Sequence, residues 1–306
     1  MSKVLIATEK PFAPLAISKI KTVLDNAGFQ MVLLEKYTSK EVLFEAVSDV
    51  DAIIIRSDKI TKEVIAAAKN LKIVVRAGAG YDNVDLAAAT EAGVVVMNTP
   101  GQNSNAVAEL AIGMMIFMAR GGFNGKAGTE LRGKTLGIHA YGNVGRYVAK
   151  IAQGIGMEVF AFDPFLDKES IEKDGVKALD SVESLYESSQ YISLHIPAND
   201  KTKRSINYKL LSKMPEPAVL VNTARKEVVN EEELIKLMDD RSDFTYISDI
   251  APDNADIFAE KFSGRYFFTP KKMGAQTKEA NVNAGVAAAN QIVDFLKNGN
   301  TTFKVN

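Results

Sequence analysis

The segment best suited to hold a phosphate group is a glycine-rich turn that follows a predicted strand. It reads Ala140-Tyr141-Gly142-Asn143-Val144-Gly145 and opens a predicted helix that runs to Gln153. In the dinucleotide pattern G-x-G-x-x-G, a glycine at the Gly142 position lets the backbone approach the pyrophosphate, and one at the Gly145 position lets the helix pack closely on the strand. Free N–H groups and the dipole of the helix N-terminus favour an anion there. Glycine-containing turns also precede many helices, so the turn alone leaves a purely structural role open.

An acidic residue at the end of the next predicted strand strengthens the case for a dinucleotide site. Asp163 follows the strand Glu158–Phe162 and lies 18 residues after Gly145. The carboxylate that binds the ribose hydroxyls is expected about 20 residues after such a turn. Because a carboxylate repels a 2′-phosphate, the sequence predicts NAD rather than NADP as the cofactor. Ala140 replaces the first glycine of the pattern and is expected to be tolerated if its φ is negative.

These residues belong to a chain in which short β-branched runs alternate with helical periods, as in parallel sheets flanked by helices. The first series of predicted strands is Val4–Ala7, Met31–Leu34, Ala52–Ile55, Ile73–Arg76 and Val94–Met97, with helices Pro14–Ala27, Lys40–Val47, Lys62–Lys69 and Leu86–Ala92. The second series of strands is Leu136–Ala140, Val159–Phe162, Ile192–His195, Val219–Asn222 and Tyr246–Asp249. An apolar helix, Asn105–Arg120, separates the two series, and the chain closes with the helix Lys278–Leu296.

This alternation predicts an α/β fold of two doubly wound parallel-sheet domains, Rossmann-like or flavodoxin-like. Residues 1–98 are expected to form one domain together with residues 277–306, because the closing helix should return to the first series. Residues 99–276 are expected to form the other domain.

The composition excludes several classes of protein. With 306 residues, 46% of them hydrophobic and 25% charged, the chain can bury a large core. A net charge of −1 and a pI near 6.2 give no basic surface for nucleic acid or an anionic membrane. The longest apolar run, Ala106–Ala119, contains Glu109 and is shorter than a membrane span. Without cysteine, neither disulfides nor a metal site are expected, and a cytoplasmic enzyme fits.

Further blocks of sequence resemble the D-2-hydroxyacid dehydrogenases over nearly the whole chain. They are RAGAGYDNVD from Arg76 to Asp85, VVMNTP from Val95 to Pro100, VAEL from Val107 to Leu110, NTAR from Asn222 to Arg225, and Ser248-Asp249. Within the family the chain is most similar to short D-3-phosphoglycerate dehydrogenases, which lack a C-terminal regulatory domain. The resemblance implies NAD-dependent oxidation of a phosphorylated 2-hydroxy acid, with D-3-phosphoglycerate as the expected substrate and serine biosynthesis as the setting.

The resemblance also implies an organisation. The domain built from the two chain ends would bind substrate, the middle domain would bind NAD, and the active site would lie in the cleft between them. A homodimer is expected, in which the apolar helix Asn105–Arg120 takes part; burial in the domain core is the alternative for that helix.

Site residues are carried over by the same resemblance. Arg225 matches the family's substrate arginine, whose planar fork can hold a carboxylate in a bidentate manner. Arg56 and Arg76, each closing a strand, are candidates for the substrate phosphate, with an ordinary surface charge as the alternative. The expected backbone ligands of the substrate carboxylate are Ala77, Gly78 and Ala79. The expected cofactor-binding residues are Gly142, Asn143, Val144, Gly145, Asp163, His195, Ile196, Pro197, Thr223, Ala224, Asp249 and Gly274.

The chain departs from the family at its acid–base pair. The family's histidine, which follows Thr-Pro, falls on Lys271 in Thr269-Pro270-Lys271-Lys272, and its acidic partner falls on Asn254. Lys271 is therefore the expected acid–base residue, with Lys272 as its rival, and whether Asn254 or Asp253 stands in for the acid is left open. His139, inside an apolar strand, is expected in the core, and His195 beside the cofactor rather than as the acid–base residue.

Two other functions remain compatible with these departures. One is reduction of hydroxypyruvate or glyoxylate, since pocket shape cannot be read from sequence. The other is an NAD-sensing binding protein similar to the family's transcriptional corepressors, because the usual histidine and acid are both lost. Retention of Arg225, and of a basic residue at the histidine position, favours an enzyme.

Overall fold

The computed structural model describes residues 1–306, which form two compact units. One unit comprises Met1–Asn103 and Thr277–Asn306, and the other comprises Ser104–Gln276. The chain leaves the first unit after Asn103, slightly later than the boundary after Asn98 that the sequence indicates.

The first unit begins with five strands and four helices in alternation. The strands are β1 (Lys3–Thr8), β2 (Gln30–Glu35), β3 (Ala52–Ile55), β4 (Ile73–Arg76) and β5 (Val95–Asn98). The helices are α1 (Pro14–Ala27), α2 (Lys40–Val47), α3 (Lys62–Ala67) and α4 (Leu86–Glu91).

The second unit contains the next seven helices and seven strands. The helices are α5 (Ser104–Ala119), α6 (Asn143–Gly154), α7 (Lys168–Glu172), α8 (Val182–Glu187), α9 (Tyr208–Leu211), α10 (Glu231–Asp240) and α11 (Ala255–Lys261). The strands are β6 (Thr135–His139), β7 (Glu158–Phe162), β8 (Lys177–Ala178), β9 (Tyr191–Leu194), β10 (Val219–Asn222), β11 (Thr245–Ser248) and β12 (Tyr266–Phe268). Two 3₁₀ turns cover Gly121–Phe123 and Lys226–Val228.

The last helix, α12 (Lys278–Asn298), belongs to the first unit. Thr277 begins it, because its hydroxyl accepts from the Ala280 amide (3.1 Å), and Gly299 ends it with a φ of +71°. A Cβ on Gly285 would lie only 2.8 Å from Ile20 Cδ1, so glycine lets α12 pack closely against α1.

The sheet of the first unit is parallel throughout, with strand order β2-β1-β3-β4-β5. This is the flavodoxin-like order, in which the chain direction across the sheet reverses between β1 and β3. Every residue of β3 is buried, because a parallel sheet is covered on both faces. Helices α1 and α12 cover one face, and α2, α3 and α4 cover the other.

The sheet of the second unit is also parallel, with order β12-β11-β10-β9-β6-β7-β8. Counted within the unit, this is the Rossmann order 3-2-1-4-5-6 with one more strand at the edge. Its direction reverses between β6 and β9, which is where a dinucleotide binds in such sheets. The sequence pattern does not predict β8 and β12, since two- and three-residue edge strands carry almost no periodicity.

None of the helices combines the length and apolar character that a membrane crossing requires.

Candidate active site

The glycine-rich turn joins the carboxyl end of β6 to α6, at the point where the second sheet reverses direction. A Cβ on Gly145 would lie 2.5 Å from the Ala140 carbonyl oxygen and 3.0 Å from Ile138 Cγ2, so α6 can pack this closely only with glycine. A Cβ on Gly142 would meet no atom within 4 Å, which leaves open space over the backbone for a ligand. Three amides that open α6 lack an intrahelical acceptor: those of Asn143, Val144 and Gly145.

Ala140 adopts a φ of +78°, so the condition under which an alanine is expected to be tolerated there is not met. This left-handed conformation costs a residue with a Cβ about 1–2 kcal/mol. Two neighbours hold it in place: the Ala140 amide donates to the Phe162 carbonyl (2.9 Å), and Gly145 packs against the Ala140 carbonyl. The first glycine of the pattern is thus replaced by a strained alanine that the surrounding structure supports.

Asp163 lies directly beside this turn. One carboxylate oxygen accepts from the Tyr141 amide and the other from the Phe165 amide, each at 2.9 Å. The Tyr141 side chain is buried, with its hydroxyl 3.2 Å from Asp174 Oδ2 and the Arg146 guanidinium 4.8 Å from its ring centroid. The predicted ribose ligand and the predicted pyrophosphate turn are therefore held together by a direct hydrogen bond.

The two histidines are neighbours at the ends of β6 and β9. The His195 amide donates to the His139 carbonyl (3.0 Å), and the rings contact Ser193 and Tyr186 respectively. Burial lowers the pKa of His139 to about 4, against the opposing charge of Asp163, and burial with the adjacent His139 lowers that of His195 to about 3. Both rings are neutral near pH 7, which suits a structural role better than acid–base chemistry. The predicted cofactor residues Ile196 and Pro197 follow in the same loop; Ile196 is buried and Pro197 exposed.

Stability should fall as the pH is lowered from about 6.5 towards 4, because the unfolded His139 binds a proton that the folded one does not. One such histidine contributes a slope of roughly 1.4 kcal/mol per pH unit in that window. Chemical denaturation at a series of pH values measures it, with His139→Gln as the comparison. The variant should show a shallower decline, and identical slopes would contradict a buried neutral His139.

The segment after β10 carries Arg225, the predicted substrate arginine. The Asn222 side chain braces it, accepting from the Ala224 amide (2.9 Å) and donating to the Arg225 carbonyl (3.0 Å). The Thr223 hydroxyl is buried and has no hydrogen-bond partner within the chain. Arg225 is exposed, and its Nη1 donates to the Ala224 carbonyl (3.1 Å). Its other N–H groups remain available for a carboxylate.

Asp249, directly after β11, is buried and fastens the loop that follows β12. Its carboxylate accepts from the Thr269 hydroxyl (3.0 Å), the Met273 amide (2.7 Å) and the Gly274 amide (2.7 Å). A Cβ on Gly274 would lie 2.9 Å from Asp249 Oδ2, so this contact needs glycine. Asp249 and Gly274, both predicted to bind the cofactor, thus bind each other and fix the loop between residues 269 and 274.

That loop places Lys272, and not Lys271, beside Arg225. Lys272 Nζ donates to the Ala224 carbonyl (2.7 Å), the same oxygen that accepts from Arg225. Both lysines are exposed, but the Lys271 side chain makes no hydrogen bond or ion pair; only the Lys271 carbonyl is engaged, by the Thr269 hydroxyl. The geometry therefore favours Lys272 for the acid–base role that the Thr-Pro spacing assigns to Lys271.

The surroundings of Lys272 make its amine unusually acidic. Desolvation of the amine by the neighbouring segments, and then the positive charge of Arg225, lower its pKa to about 8, while Asp249 and Glu227 act in the opposite direction. An amine with this pKa is partly neutral near physiological pH, as a base requires. No motif marks Glu227 in the sequence; its position two residues after Arg225 is the only signal.

The side chains of Asn254 and Asp253 bind other residues and make no hydrogen bond or ion pair with Lys272. The Asn254 amide group donates to Glu231 (3.1 Å), and the Asp253 carboxylate pairs with Lys226. Glu231 also accepts from both backbone amides of this pair (3.1 and 3.2 Å). Both residues are thus engaged away from Lys272.

In the first unit, Arg56 and Arg76 leave the carboxyl ends of the adjacent strands β3 and β4. Arg56 Nη1 donates to the carbonyls of Lys10 (3.1 Å) and Pro11 (3.0 Å), and its Nη2 contacts Asn281. Arg76 Nε donates to the Arg56 carbonyl (3.0 Å). Arg56 is thus partly structural, but Nε–H and one Nη2–H remain among its five N–H groups.

The predicted carboxylate amides after β4 are only partly available. The Ala77 amide donates to the Ile55 carbonyl (2.8 Å) and the Gly78 amide to the Arg76 carbonyl (2.9 Å). Of the three predicted donors, only the Ala79 amide has no acceptor within the chain. Gly78 has a φ of +151°, and a Cβ there would collide with the Arg76 guanidinium at 1.4 Å, so Arg76 lies directly over this turn. The Ala77 and Gly78 amides are thus engaged within the fold, contrary to the expectation that they bind the carboxylate, and the Ala79 amide is left as the predicted backbone donor.

Comparison with known proteins identifies the family. The model for D-isomer specific 2-hydroxyacid dehydrogenases, catalytic domain, matches residues 7–306. A D-3-phosphoglycerate dehydrogenase of Methanocaldococcus jannaschii is 35% identical over 278 residues, which are 85% of this chain and 52% of that protein. A hydroxypyruvate reductase of Thermotoga maritima is 33% identical over 284 residues, 87% of this chain and 92% of that protein.

A solved structure agrees with these matches over the full length. The crystal structure of NAD⁺-bound 3-phosphoglycerate dehydrogenase from Entamoeba histolytica is 49% identical, with a TM-score of 0.87, and the match covers 100% of this chain and 98% of that one. The chain spans about half the length of the Methanocaldococcus relative. A match over nearly every residue, together with both parallel sheets in their expected order, shows that the chain belongs to the D-isomer specific 2-hydroxyacid dehydrogenase family.

Proposed function

We propose that the protein is an NAD-dependent D-3-phosphoglycerate dehydrogenase, which oxidises the C2 hydroxyl of 3-phosphoglycerate to give 3-phosphohydroxypyruvate. The observation that carries this proposal is that Lys272 and Arg225 share the Ala224 carbonyl, at the same edge of the sheet as the glycine-rich turn. A base and a carboxylate ligand are thereby fixed next to one another. Phosphoglycerate dehydrogenases among the relatives, one of them 49% identical, support the substrate.

The residues around the turn fit NAD. The open space over Gly142, the three amides that open α6 and the unpartnered Thr223 hydroxyl offer donors to a phosphate and to the nicotinamide end. Asp163 would accept the ribose hydroxyls. When bound there, NAD⁺ supplies the hydride acceptor.

The side chains of this chain account for the rest of the reaction. Arg225 holds the substrate carboxylate through paired N–H donors and orients C2. Neutral Lys272 would accept the proton of the C2 hydroxyl and become an ammonium, while NAD⁺ would supply the hydride acceptor. In the reverse direction the ammonium returns that proton to the carbonyl oxygen. Arg56 and Arg76 of the first unit bind the substrate phosphate.

The most direct test is formation of NADH from NAD⁺ and D-3-phosphoglycerate at alkaline pH, followed by absorbance. D-glycerate and D-lactate serve as controls, and D-3-phosphoglycerate should be preferred. Turnover of D-glycerate as fast as D-3-phosphoglycerate would reject the phosphorylated substrate. Fast NADH-dependent reduction of hydroxypyruvate in that case would favour the alternative function, which the Thermotoga relative supports because this chain matches 92% of its length.

The cofactor preference depends on Asp163. The protein should prefer NAD over NADP by at least tenfold, about 1.4 kcal/mol, since the carboxylate repels a 2′-phosphate. Asp163→Asn keeps an acceptor for the Tyr141 amide but removes the charge, and should narrow the preference. Steady-state kinetics with both coenzymes measures it, and equal use of the two by the unmutated protein would reject the assignment of Asp163.

We further infer a homodimer that forms through α5 and acts in the cytoplasm. One side of α5 is buried in the unit, but Ile116 is 37% exposed and Phe123, just beyond the helix, is 67% exposed. Phe123 and Phe117 stack edge to face with centroids 5.3 Å apart, so apolar surface is concentrated at this helix end. Sedimentation of the unmutated protein and of Phe123→Glu tests the dimer. The absence of cysteine from the sequence fits a reducing compartment.

A further inference from the structure

Lys10 lies at the point where the sheet of the first unit reverses direction. It belongs to the loop between β1 and α1, and Arg56 follows β3; these are the two strands between which the order changes. In open parallel sheets, ligands bind outside the carboxyl ends of the strands at this place. Lys10 and Arg56 therefore occupy the two sides of the position that the topology favours for a ligand.

The Lys10 loop is held against Arg56 by several contacts. The guanidinium donates to the Lys10 and Pro11 carbonyls (3.1 and 3.0 Å) and lies 5.2 Å from the centroid of the Phe12 ring. Phe12 itself is buried. These bonds fix the backbone of Lys10 next to the guanidinium, which leaves its exposed side chain within reach of a ligand bound there.

A buried carboxylate beneath the loop adds to this order, and its charge offsets part of the charge of Arg56. Asp58 is 4% exposed and accepts from the Glu9 amide (2.7 Å), the Tyr37 hydroxyl (2.8 Å) and the Arg56 amide (3.3 Å). It thus ties together the segments that follow β1, β2 and β3. Its oxygens point at backbone and phenol donors, and neither the Arg56 guanidinium nor the Lys10 ammonium pairs with it.

The Lys10 side chain is exposed and has no ion-pair or hydrogen-bond partner within the chain. Because a phosphate carries up to two negative charges and has several acceptor oxygens, it can bind a further cation beside the two guanidinium groups. We propose that Lys10 is a third ligand of the substrate phosphate, beside Arg56 and Arg76. This proposal rests on the proposed function and adds a residue that determines its specificity for phosphorylated acids.

The test compares Lys10→Ala with Lys19→Ala, which removes the same charge from the exposed face of α1. The readout is the ratio of kcat/KM for D-3-phosphoglycerate to that for D-glycerate. Lys10→Ala should lower this ratio about tenfold, mainly through KM, because a contact remote from C2 contributes uniform binding. Lys19→Ala should leave it unchanged. Equal ratios in the two variants would overturn the proposal.

A second measurement separates failure of this proposal from failure of the proposed function. Inorganic phosphate should raise the Tm of the unmutated protein and of Lys19→Ala, and raise that of Lys10→Ala much less, whether or not the enzyme oxidises 3-phosphoglycerate. If 3-phosphoglycerate is not a substrate but phosphate still raises the Tm of Lys10→Ala less than that of the other two proteins, Lys10 belongs to an anion site and the proposed substrate is wrong. If phosphate raises the Tm of all three proteins equally, Lys10 is not a phosphate ligand.

Discussion

Lys272→Ala should lower kcat for oxidation of 3-phosphoglycerate by roughly 10² to 10⁴, the range expected when an acid–base group alone is lost. Binding of NADH should stay nearly intact, since the glycine-rich turn and Asp163 are unchanged by the substitution. Steady-state kinetics and fluorescence titration with NADH measure the two effects. Lys272 Nζ donates to the Ala224 carbonyl, which also accepts from Arg225, and no other lysine nitrogen donates to that carbonyl.

Lys271→Ala is the matched control, with the same charge removed one residue earlier. It should retain most of the activity, since Lys271 makes no side-chain contact. A collapse of turnover in Lys271→Ala with near-normal Lys272→Ala would return the role to Lys271, and normal turnover in both would reject a lysine base.

The pH dependence provides an independent check of the same residue. With a pKa near 8, the amine loses its proton as the pH rises through that value. Oxidation, which needs the neutral amine, should therefore quicken, and reduction, which needs the ammonium, should slow. In Lys272→Ala both dependences should flatten.

The second large effect is expected at Asp249. Asp249→Ala would leave the Thr269 hydroxyl and the Met273 and Gly274 amides without their acceptor. Buried donors that lose their partners cost about 1–3 kcal/mol each, so the loss of three should lower the free energy of unfolding by roughly 3 kcal/mol or more. Turnover should fall as well, because the loop that holds Lys272 loses its anchor. Urea denaturation and kinetics measure the two losses.

Asp253→Ala is the control for Asp249→Ala, because it removes an exposed carboxylate where Asp249→Ala removes a buried one. Asp253 pairs with Lys226 at the surface, and such pairs contribute about 0–1 kcal/mol. If Asp249→Ala destabilises the protein no more than Asp253→Ala does, the anchoring role of Asp249 is wrong.

Much of this fold can be predicted from the sequence, because the longer helices and strands show a clear pattern of apolar residues. Strands β3, β4 and β10 and helices α1 and α2 begin and end where the apolar pattern does. Ala52–Ile55 reads as a continuous apolar run, which a strand covered on both faces requires. The apolar pattern of the sequence does not predict β12, whose three residues join the sheet only by pairing with β11.

The site is harder to predict wherever a residue's role depends on the direction of its side chain or backbone amide rather than on the residue type. Adjacent lysines look alike in sequence, yet Asp249 fixes a loop in which only Lys272 reaches the Ala224 carbonyl. From sequence alone, the amides of Ala77 and Gly78 are as able to bind a carboxylate as that of Ala79. In the structure they donate instead to the carbonyls of Ile55 and Arg76. The positive φ of Ala140 arises from its packing against Gly145 and its bond to Phe162, which propensity cannot foresee.

The shared Ala224 carbonyl links two equilibria. An anion bound by Arg225 offsets the positive charge that helps to lower the Lys272 pKa, so anion binding should draw a proton onto Lys272. Linkage makes the influence mutual: protonated Lys272 must bind that anion more tightly, by the factor by which the anion favours protonation. A 2-oxo acid should therefore be captured best in the protonation state that its reduction needs, and a 2-hydroxy acid must overcome the same preference before it is oxidised.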